Sequence, residues 1–380
     1  MSHGGPTILL SAGEPSGDLH GAAVAAALRE RWPGARLFGL GGPRMAAAGV
    51  ELLEDIGRLA VMGFIEVAGR LPFFFRLLRR VRREMVERGT DLVVPIDYPG
   101  FNLRLARSAR RAGVPVLYYI APQVWAWHRS RCRQVAENTD RLAVVLPFEE
   151  EVFGAAGARA VYVGHPLLDA APVHTDRDAF CERLGLQAGA PILALFPGSR
   201  AQEVQRHLPV FQEAAARLRR TIPDIQPVIA AAGTLPRELY GSAPYPLAYS
   251  SLELLAHARA ALVKSGTGTL EAALAGTPLV IAYRAHPVTF WLARRLVRVP
   301  QIGLVNLVAG ERVAPEYLQD EATPERLARA LAPLITDGPE RRSMVERLAR
   351  VRAALAPRED GAGSAAERVV RLAAELLEAA

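Results

Sequence analysis

At 380 residues, half of them hydrophobic, the chain is long for one core and suits two α/β domains. Its formal charge of +7 is almost wholly arginine, since Lys264 is the only lysine, and most arginines alternate with Ala, Leu or Glu as solvated helix faces do. Two cysteines exclude a disulfide framework, no apolar run approaches the ~20 residues of a membrane span, and no nucleic-acid-binding signature is present.

The opening Met1–Pro6 lacks the charged and apolar regions of a signal peptide, so a cytoplasmic location is expected. Thr7–Leu10 reads as a short strand, followed by the loop Ser11-Ala-Gly-Glu-Pro-Ser-Gly-Asp-Leu-His-Gly21 and a helix over Ala22–Arg29. Unlike a dinucleotide fingerprint, this loop displays Glu14, Asp18 and His20, with Gly13 and Ser16 beside them. Two acids and an imidazole at a strand end suit proton transfer or sugar hydroxyls better than pyrophosphate.

Leu71–Met85 reads as a helix with a core stripe of Phe74, Leu78, Val81 and Met85. Phe73 and Leu77 extend it on one side and Phe75 on the other, an apolar arc of roughly 200° where a core-facing helix needs nearer ~100°. With Arg76, Arg79, Arg80 and Arg83 on the remaining face, the segment suits an anionic bilayer surface.

The βα alternation continues. Asp91–Ile96 is a strand ending at Asp97-Tyr-Pro-Gly-Phe-Asn102, and Val114–Ile120 is another, closed by Ala121-Pro-Gln-Val-Trp-Ala-Trp-His128. Leu142–Leu146 and Val161–Val163 follow, the latter reaching Gly164-His165-Pro166. His165 reads as a structural strand-end histidine, Trp125 and Trp127 as a packed cluster or, with His128, an acceptor lining. Residues 170–177 read as a linker, and Asp176-Arg-Asp178 as linker or cap charge rather than a metal site.

The second half opens with strand Pro191–Phe196 and Pro197-Gly-Ser-Arg200, where Ser199 is placed to cap the next helix and Arg200 to fork onto a phosphate or a carboxylate. Gln226–Ala232, Ala260–Val263 and Pro278–Tyr283 are further strands, and Gln301–Asn306 one more polar strand end. Lys264-Ser-Gly-Thr-Gly-Thr-Leu-Glu271 is a glycine turn opening a helix. Gly266 and Gly268 permit close backbone approach, the amides from Ser265 to Thr269 face a phosphate, and Glu271, one turn beyond Thr267, is placed for ribose hydroxyls. Helices are expected over 325–334, 341–355 and 363–379.

Together these segments resemble the lipid-A-disaccharide synthase family of glycosyltransferases. The motifs are Gly13–Asp18, Gly41–Met45, Met62–Glu66, Asp97–Asn102, Pro122–Trp127, Gly164–Pro166, Pro197–Arg200, Ser265–Glu271 and Asn306–Gly310, nine in family order across residues 7–320. The chain departs from the family's more usual serine at Ala121, proline at Val305 and alanine at Gly268.

The resemblance implies two facing Rossmann-like domains of GT-B type with the active site in the inter-domain cleft: residues 1–170 on the acceptor and membrane side, 171–358 binding UDP-sugar, and 359–380 as a helix packing back on the first. It implies transfer of 2,3-diacylglucosamine from UDP to 2,3-diacylglucosamine 1-phosphate, giving the β-1,6 disaccharide 1-phosphate and UDP. Location would be peripheral, at the cytoplasmic face of a Gram-negative inner membrane and in contact with anionic lipids. No cofactor, metal or nucleic acid is expected, and a homodimer stays open.

Inversion requires a base on the acceptor hydroxyl and stabilisation of the leaving diphosphate. Asp97 is the first candidate base, with helix capping as its alternative role; Glu14, His20 and Asp18 compete. Ser199, Arg200 and Ser265–Thr269 would serve the donor, Glu271 its ribose, and Asn306 a phosphate or sugar. Gly13, Ser16, Asp18, Asn102 and Gln123 would form the acceptor side, and Phe73–Phe75, Arg76, Leu77 and Arg80 the membrane contact. A UDP-N-acetylglucosamine 2-epimerase-like isomerase and a non-catalytic nucleotide-sugar-binding module are the alternatives.

Overall fold

The computed structural model describes residues 5–59, 64–126, 129–169, 176–241, 244–285, 290, 301–356 and 363–379, with backbone alone for 64–70, 126, 129 and 130. The chain divides into two compact units, Met1–Asp169 with Pro357–Ala380, and Ala170–Ala356.

The first unit is built on β1 (Thr7–Ser11), β2 (Arg36–Gly41), β3 (Glu51–Asp55), β4 (Leu92–Pro95), β5 (Leu117–Tyr119), β6 (Arg141–Val144) and β7 (Ala160–Tyr162). Every pairing is parallel, in the orders β3-β2-β1-β4 and β5-β6-β7, and single bridges at Val93–Val116 and Ile96–Tyr119 join β4 to β5. Helices cover both faces of such a sheet, so the strands are continuous apolar runs; β1 is buried at all five positions. β2 and β3 were not legible as strands in the sequence, because Gly39, Gly41, Glu51 and Glu54 interrupt their apolar pattern. The helix Ala365–Glu378 returns to pack on Pro15–Arg31, tied by the Ala365 N–H to Asp169 (2.8 Å) and by Arg368 to the Val163 carbonyl (2.7 Å).

The second unit repeats the plan with β8 (Ile192–Phe196), β9 (Gln226–Ala230), β10 (Leu247–Ala248), β11 (Ala258–Lys264), β12 (Leu279–Tyr283) and β13 (Glu316–Leu318), ordered β10-β9-β8-β11-β12-β13, all parallel. The helices Pro324–Ile335 and Pro339–Ala354 fall where the periodicity puts them. The segment 301–306 does not form a strand: Leu304–Ala309 is a helix capped by Gly303, and the edge strand is β13, whose three residues are too few to carry a strand pattern. Of the linker segment, 170–175 lie outside the described residues; Asp176 caps the helix Arg177–Leu184 through the Asp178 N–H (2.9 Å).

The helix Phe64–Glu87 corrects the expected membrane stripe. Leu77 is 4% exposed and joins Val81 and Met85 in a core with Leu9, Phe38 and Phe101, so it is not a membrane contact. The stripe is wider than ~100° because this helix meets the sheet, Leu59 and the helix Pro99–Arg111 together. Phe73 and Phe74 are half-buried against the same core, whereas Phe75 is 54% exposed and Leu71 43%. Leu77→Ala is therefore expected to destabilise the first unit by about 2–5 kcal/mol, the range for a buried large-to-small change, and Phe75→Ser by no more than about 0.5 kcal/mol. Denaturant titration of the two variants compares them; equal losses would place Phe75 in the core as well.

Candidate active-site loops and buried polar clamps

In an open parallel sheet, ligands bind at the carboxyl ends of the strands where the order reverses. In the first unit that point lies between β1 and β4, which end at the Ala12–Glu14 and Ile96–Tyr98 loops. Asp97 and Tyr98 both have left-handed backbone (φ 45° and 51°), a conformation that costs L-residues of order 1 kcal/mol or more each. The turn is held from several sides. The Asp97 carbonyl accepts from Asn102 Nδ2 (2.8 Å) and the Tyr118 hydroxyl (2.7 Å), and the Asp97 N–H donates to the Tyr119 carbonyl (3.0 Å). Tyr98 occupies the N-cap position of the helix Pro99–Arg111, so Asp97 is not its N-cap.

Asn102 is the clamp of this corner. Fully buried, it also donates to the carbonyls of Ser11 (2.9 Å) and Ile96 (3.1 Å), and its Oδ1 accepts from Ser11 Oγ (2.6 Å). The side chain ties β1 to β4, and with its amide hydrogens spent on backbone carbonyls and no surface exposed, it does not offer an acceptor contact. Asp18 is likewise committed: its carboxylate, 2% exposed, accepts from the N–H groups of Gly42 (2.7 Å), Met45 (3.0 Å) and Arg44 (3.2 Å) at the start of the helix Pro43–Ala47. It works as a loop clamp, not as a base or an acceptor ligand.

Gly13 is buried, and a Cβ there would lie 2.3 Å from the Tyr98 ring, so only glycine fits. Burial, and to a lesser degree the Glu14 charge, raise the Tyr98 phenol to about 12. Ser16 and Gln123 are exposed. His20 packs edge-on to Tyr119 at 6.5 Å, and burial lowers it to about 4, so it is neutral at physiological pH. His165, lowered to about 4 by burial and by His20, accepts from the Leu167 N–H (3.2 Å) as a strand-end cap.

Glu149 carries a signal the sequence did not give. It is 1% exposed, accepts from Trp125 Nε1 (3.0 Å) and the Leu146 N–H (3.1 Å), and burial raises it to about 7. Trp125 is thereby fixed, edge-on to Phe148 at 4.9 Å. Trp127, His128, Met62 and Gly63 lie outside the described residues.

In the second unit the order reverses between β8 and β11, which end at Pro197–Arg200 and at Lys264–Thr267. Ser199 does not cap the helix Ala201–Thr221; Arg200 holds the N-cap position and Glu203 reaches back to the Ser199 N–H (3.1 Å). Gly266 has φ 150°, and its carbonyl accepts from the Thr269 N–H (3.0 Å) and hydroxyl (2.8 Å). Ser265 Oγ donates to the Ile302 carbonyl (2.8 Å), while Thr267 is exposed. Gly268 begins the helix Gly268–Leu274, where a Cβ would come 3.3 Å from Val263.

Glu271 and Asn306 have opposite fates. Asn306, fully buried, donates to the Ala314 carbonyl and Glu316 (both 2.8 Å) and accepts from the N–H groups of Val313 (2.8 Å) and Ala314 (2.9 Å). All four of its hydrogen-bonding sites are used, so it holds β13 to its loop and not a phosphate or sugar. Glu271 is largely buried and pushed up by that burial, a bond from Ser251 opposing the shift, and its Oε2 has no hydrogen-bond partner among the described residues. A cavity of about 610 Å³ lined by Arg36, Glu51 and Arg88 opens where β1 to β3 begin, the edge away from these loops.

Two units of this strand order define the GT-B class of α/β fold. Solved structures of that fold match over the full length: a calicheamicin glycosyltransferase (TM-score 0.62, 19% identity, 98% of each chain) and the UDP-GlcNAc 2-epimerase of Neisseria meningitidis (0.62, 9%, 97% of this chain and 99% of that one). At these identities the likeness defines the fold alone. A family model described as lipid-A-disaccharide synthetase matches residues 8–369. The lipid-A-disaccharide synthases of Myxococcus xanthus and Syntrophus aciditrophicus are 44% and 42% identical, each over 97% of both chains. The chain belongs to the lipid-A-disaccharide synthase family and is an enzyme, a glycosyltransferase of lipid A synthesis. Membership sets aside the epimerase and the non-catalytic module, both of which the fold alone allows.

The buried carboxyl and histidines make the stability of the first unit pH-dependent in opposite senses. Glu149 keeps its proton in the fold up to about 7 and loses it near the ordinary 4.5 when unfolded, so its contribution falls as pH rises from about 4.5 to 7. His20 and His165 take up protons at 6.5 unfolded and at about 4 folded, so theirs falls as pH drops from 6.5 towards 4. Glu149→Gln should gain stability relative to the parent between pH 5 and 7.5, by on the order of 1–3 kcal/mol, in denaturant titrations at both values. A difference constant with pH would refute the raised carboxyl.

Proposed function

We propose that the enzyme transfers 2,3-diacylglucosamine from UDP to the 6-hydroxyl of 2,3-diacylglucosamine 1-phosphate in one inverting step. The observation that carries the donor side is the buried Glu271 oxygen one turn beyond the Gly266 bend, without a hydrogen-bond partner among the described residues and an acceptor for ribose hydroxyls. A buried carboxylate oxygen without a donor costs free energy that a bound diol recovers. Arg200, half-exposed at the head of its helix, meets the diphosphate as it leaves.

On the first unit, Asp97 is the base. Its strained turn, with the backbone carbonyl gripped by Asn102 and Tyr118, holds rigid the backbone from which the carboxylate projects, which suits the positioned group that general-base catalysis requires. It takes the proton of the acceptor hydroxyl as that oxygen attacks the anomeric carbon; the bond to UDP breaks and its electron pair leaves on the diphosphate. Attack opposite the leaving group converts the α-linked donor into a β-linked product. Glu14 is the alternative base, because it follows Gly13, which lies against the Tyr98 ring in the same corner. His20 is disfavoured, because burial makes its imidazole a weak proton acceptor.

Incubation of the parent with both lipid substrates should yield disaccharide 1-phosphate and UDP by mass spectrometry, with EDTA leaving the rate nearly unchanged. Asp97→Asn should lower kcat by at least ~10²-fold with UDP affinity retained, the scale of a lost general base. Glu271→Ala and Arg200→Ala should instead weaken UDP binding in calorimetry, Arg200→Ala by about 1.5–3 kcal/mol. Absence of disaccharide from the parent would overturn the substrate assignment, and unchanged UDP affinity in both donor variants would move the nucleotide elsewhere.

Acylated substrates give the enzyme a reason to dock on a bilayer. Among the described residues no helix is long and apolar enough to cross a membrane. The lipid contact is assigned to Leu71 and Phe75, one turn apart on the exposed side of the helix Phe64–Glu87, with Arg76, Arg79 and Arg80 around them. Leu71→Ser with Phe75→Ser should cut co-sedimentation with anionic vesicles several-fold without lowering stability, and salt should weaken the parent's binding. Undiminished sedimentation would exclude this face.

A further inference from the structure

Lys264 stands at the end of β11, at the entry to the glycine turn, and is the only lysine among 46 basic side chains. Its Nζ lies 2.8 Å from Glu203 Oε1, and both side chains are more than four-fifths buried. The same carboxylate oxygen has Arg200 at 3.9 Å, and the other accepts from the Ser199 N–H at 3.1 Å. Burial pushes Glu203 up, but the Lys264 ammonium, with Arg200 and the Ser199 N–H, outweighs this and holds it below the usual carboxylate range.

Two features make this more than a structural ion pair. Both glycine turns are bare where the pair stands: a Cβ on Gly266 would come 3.4 Å from Lys264 Nζ, and one on Gly198 would collide with Glu203 at 2.5 Å. The ammonium therefore sits directly over the Gly266 bend. Two cations also face one carboxylate, so the three groups carry a surplus positive charge on the loops at the strand-order reversal.

We propose that Lys264 binds the nucleotide diphosphate, its ammonium passing from Glu203 to a phosphate oxygen when the donor arrives and remaining there as UDP departs. This rests on the reading of the second unit as the nucleotide side. Lysine suits the exchange because its ammonium is a point charge on a flexible stem that can turn between acceptors, whereas an arginine fork would stay locked on the carboxylate. Glu203 holds the ammonium over the turn in the unliganded enzyme, and the Ser199 N–H keeps that carboxylate hydrogen-bonded after the transfer.

The test compares UDP with uridine by calorimetry in the parent, in Lys264→Met, and in Lys264→Met with Glu203→Gln, which removes both charges and leaves no unpaired buried carboxylate. Loss of a charge-assisted contact predicts a fall in UDP affinity of roughly ten- to a hundredfold in both variants, with uridine affinity unchanged. A parent that binds UDP no better than uridine would overturn the nucleotide reading itself. A parent that prefers UDP, with variants that keep the same preference, would overturn the role of Lys264 alone. Equal loss of UDP and uridine in Lys264→Met, restored in the double variant, would reduce the pair to a structural one and overturn it too.

Discussion

Everything at the two candidate sites follows from the reversal of strand order in a parallel sheet. A right-handed crossover places each helix on one face of the sheet, and only where the order turns back do neighbouring loops diverge to the two sides. In the first unit this happens between β1 and β4, in the second between β8 and β11. The loops that diverge are those carrying Glu14 and Asp97 in one case, and Arg200, Lys264 and the Gly266 bend in the other.

The reversal leaves carbonyl and amide groups of adjacent strand ends without ladder partners, and buried polar groups of this kind must be satisfied. The chain meets the demand with side chains. Asn102 ties the ends of β1 and β4 at the reversal, while away from it Asp18 gathers three N–H groups of the β2 loop and Asn306 binds the loop before β13. Strain at Asp97 and Tyr98 persists because this lattice over-determines it. The polar residues thus divide into those that build the corner and those that remain for chemistry.

Glu149 shows the same economy at the neighbouring loop. By accepting from the Trp125 indole and the Leu146 amide, it fixes an aromatic side chain that would otherwise be packed by shape alone. The helix Phe64–Glu87 solves a different problem: it fills the space between sheet and neighbouring helix with Leu77, Val81 and Met85, and leaves Leu71 and Phe75 on its far side.

What the sequence determined by itself was the alternation of apolar runs with helical periodicity, the glycine turns that follow β1 and β11, and the family to which the ordered motifs point. These are local properties, set by propensity, period and turn chemistry within a few residues. β2, β3 and β13 escaped because their pairing partners, not their own composition, make them strands. Tertiary structure alone decided that Asn102, Asn306 and Asp18 are clamps while Glu271 keeps an oxygen without a partner among the described residues. A polar side chain reads the same in sequence whether its hydrogen bonds go to the backbone or to a ligand, and only the folded placement of residues 5 to 91 positions away consumes them. Leu77 was decided the same way, because the width of a helix's buried face depends on how many neighbours surround it.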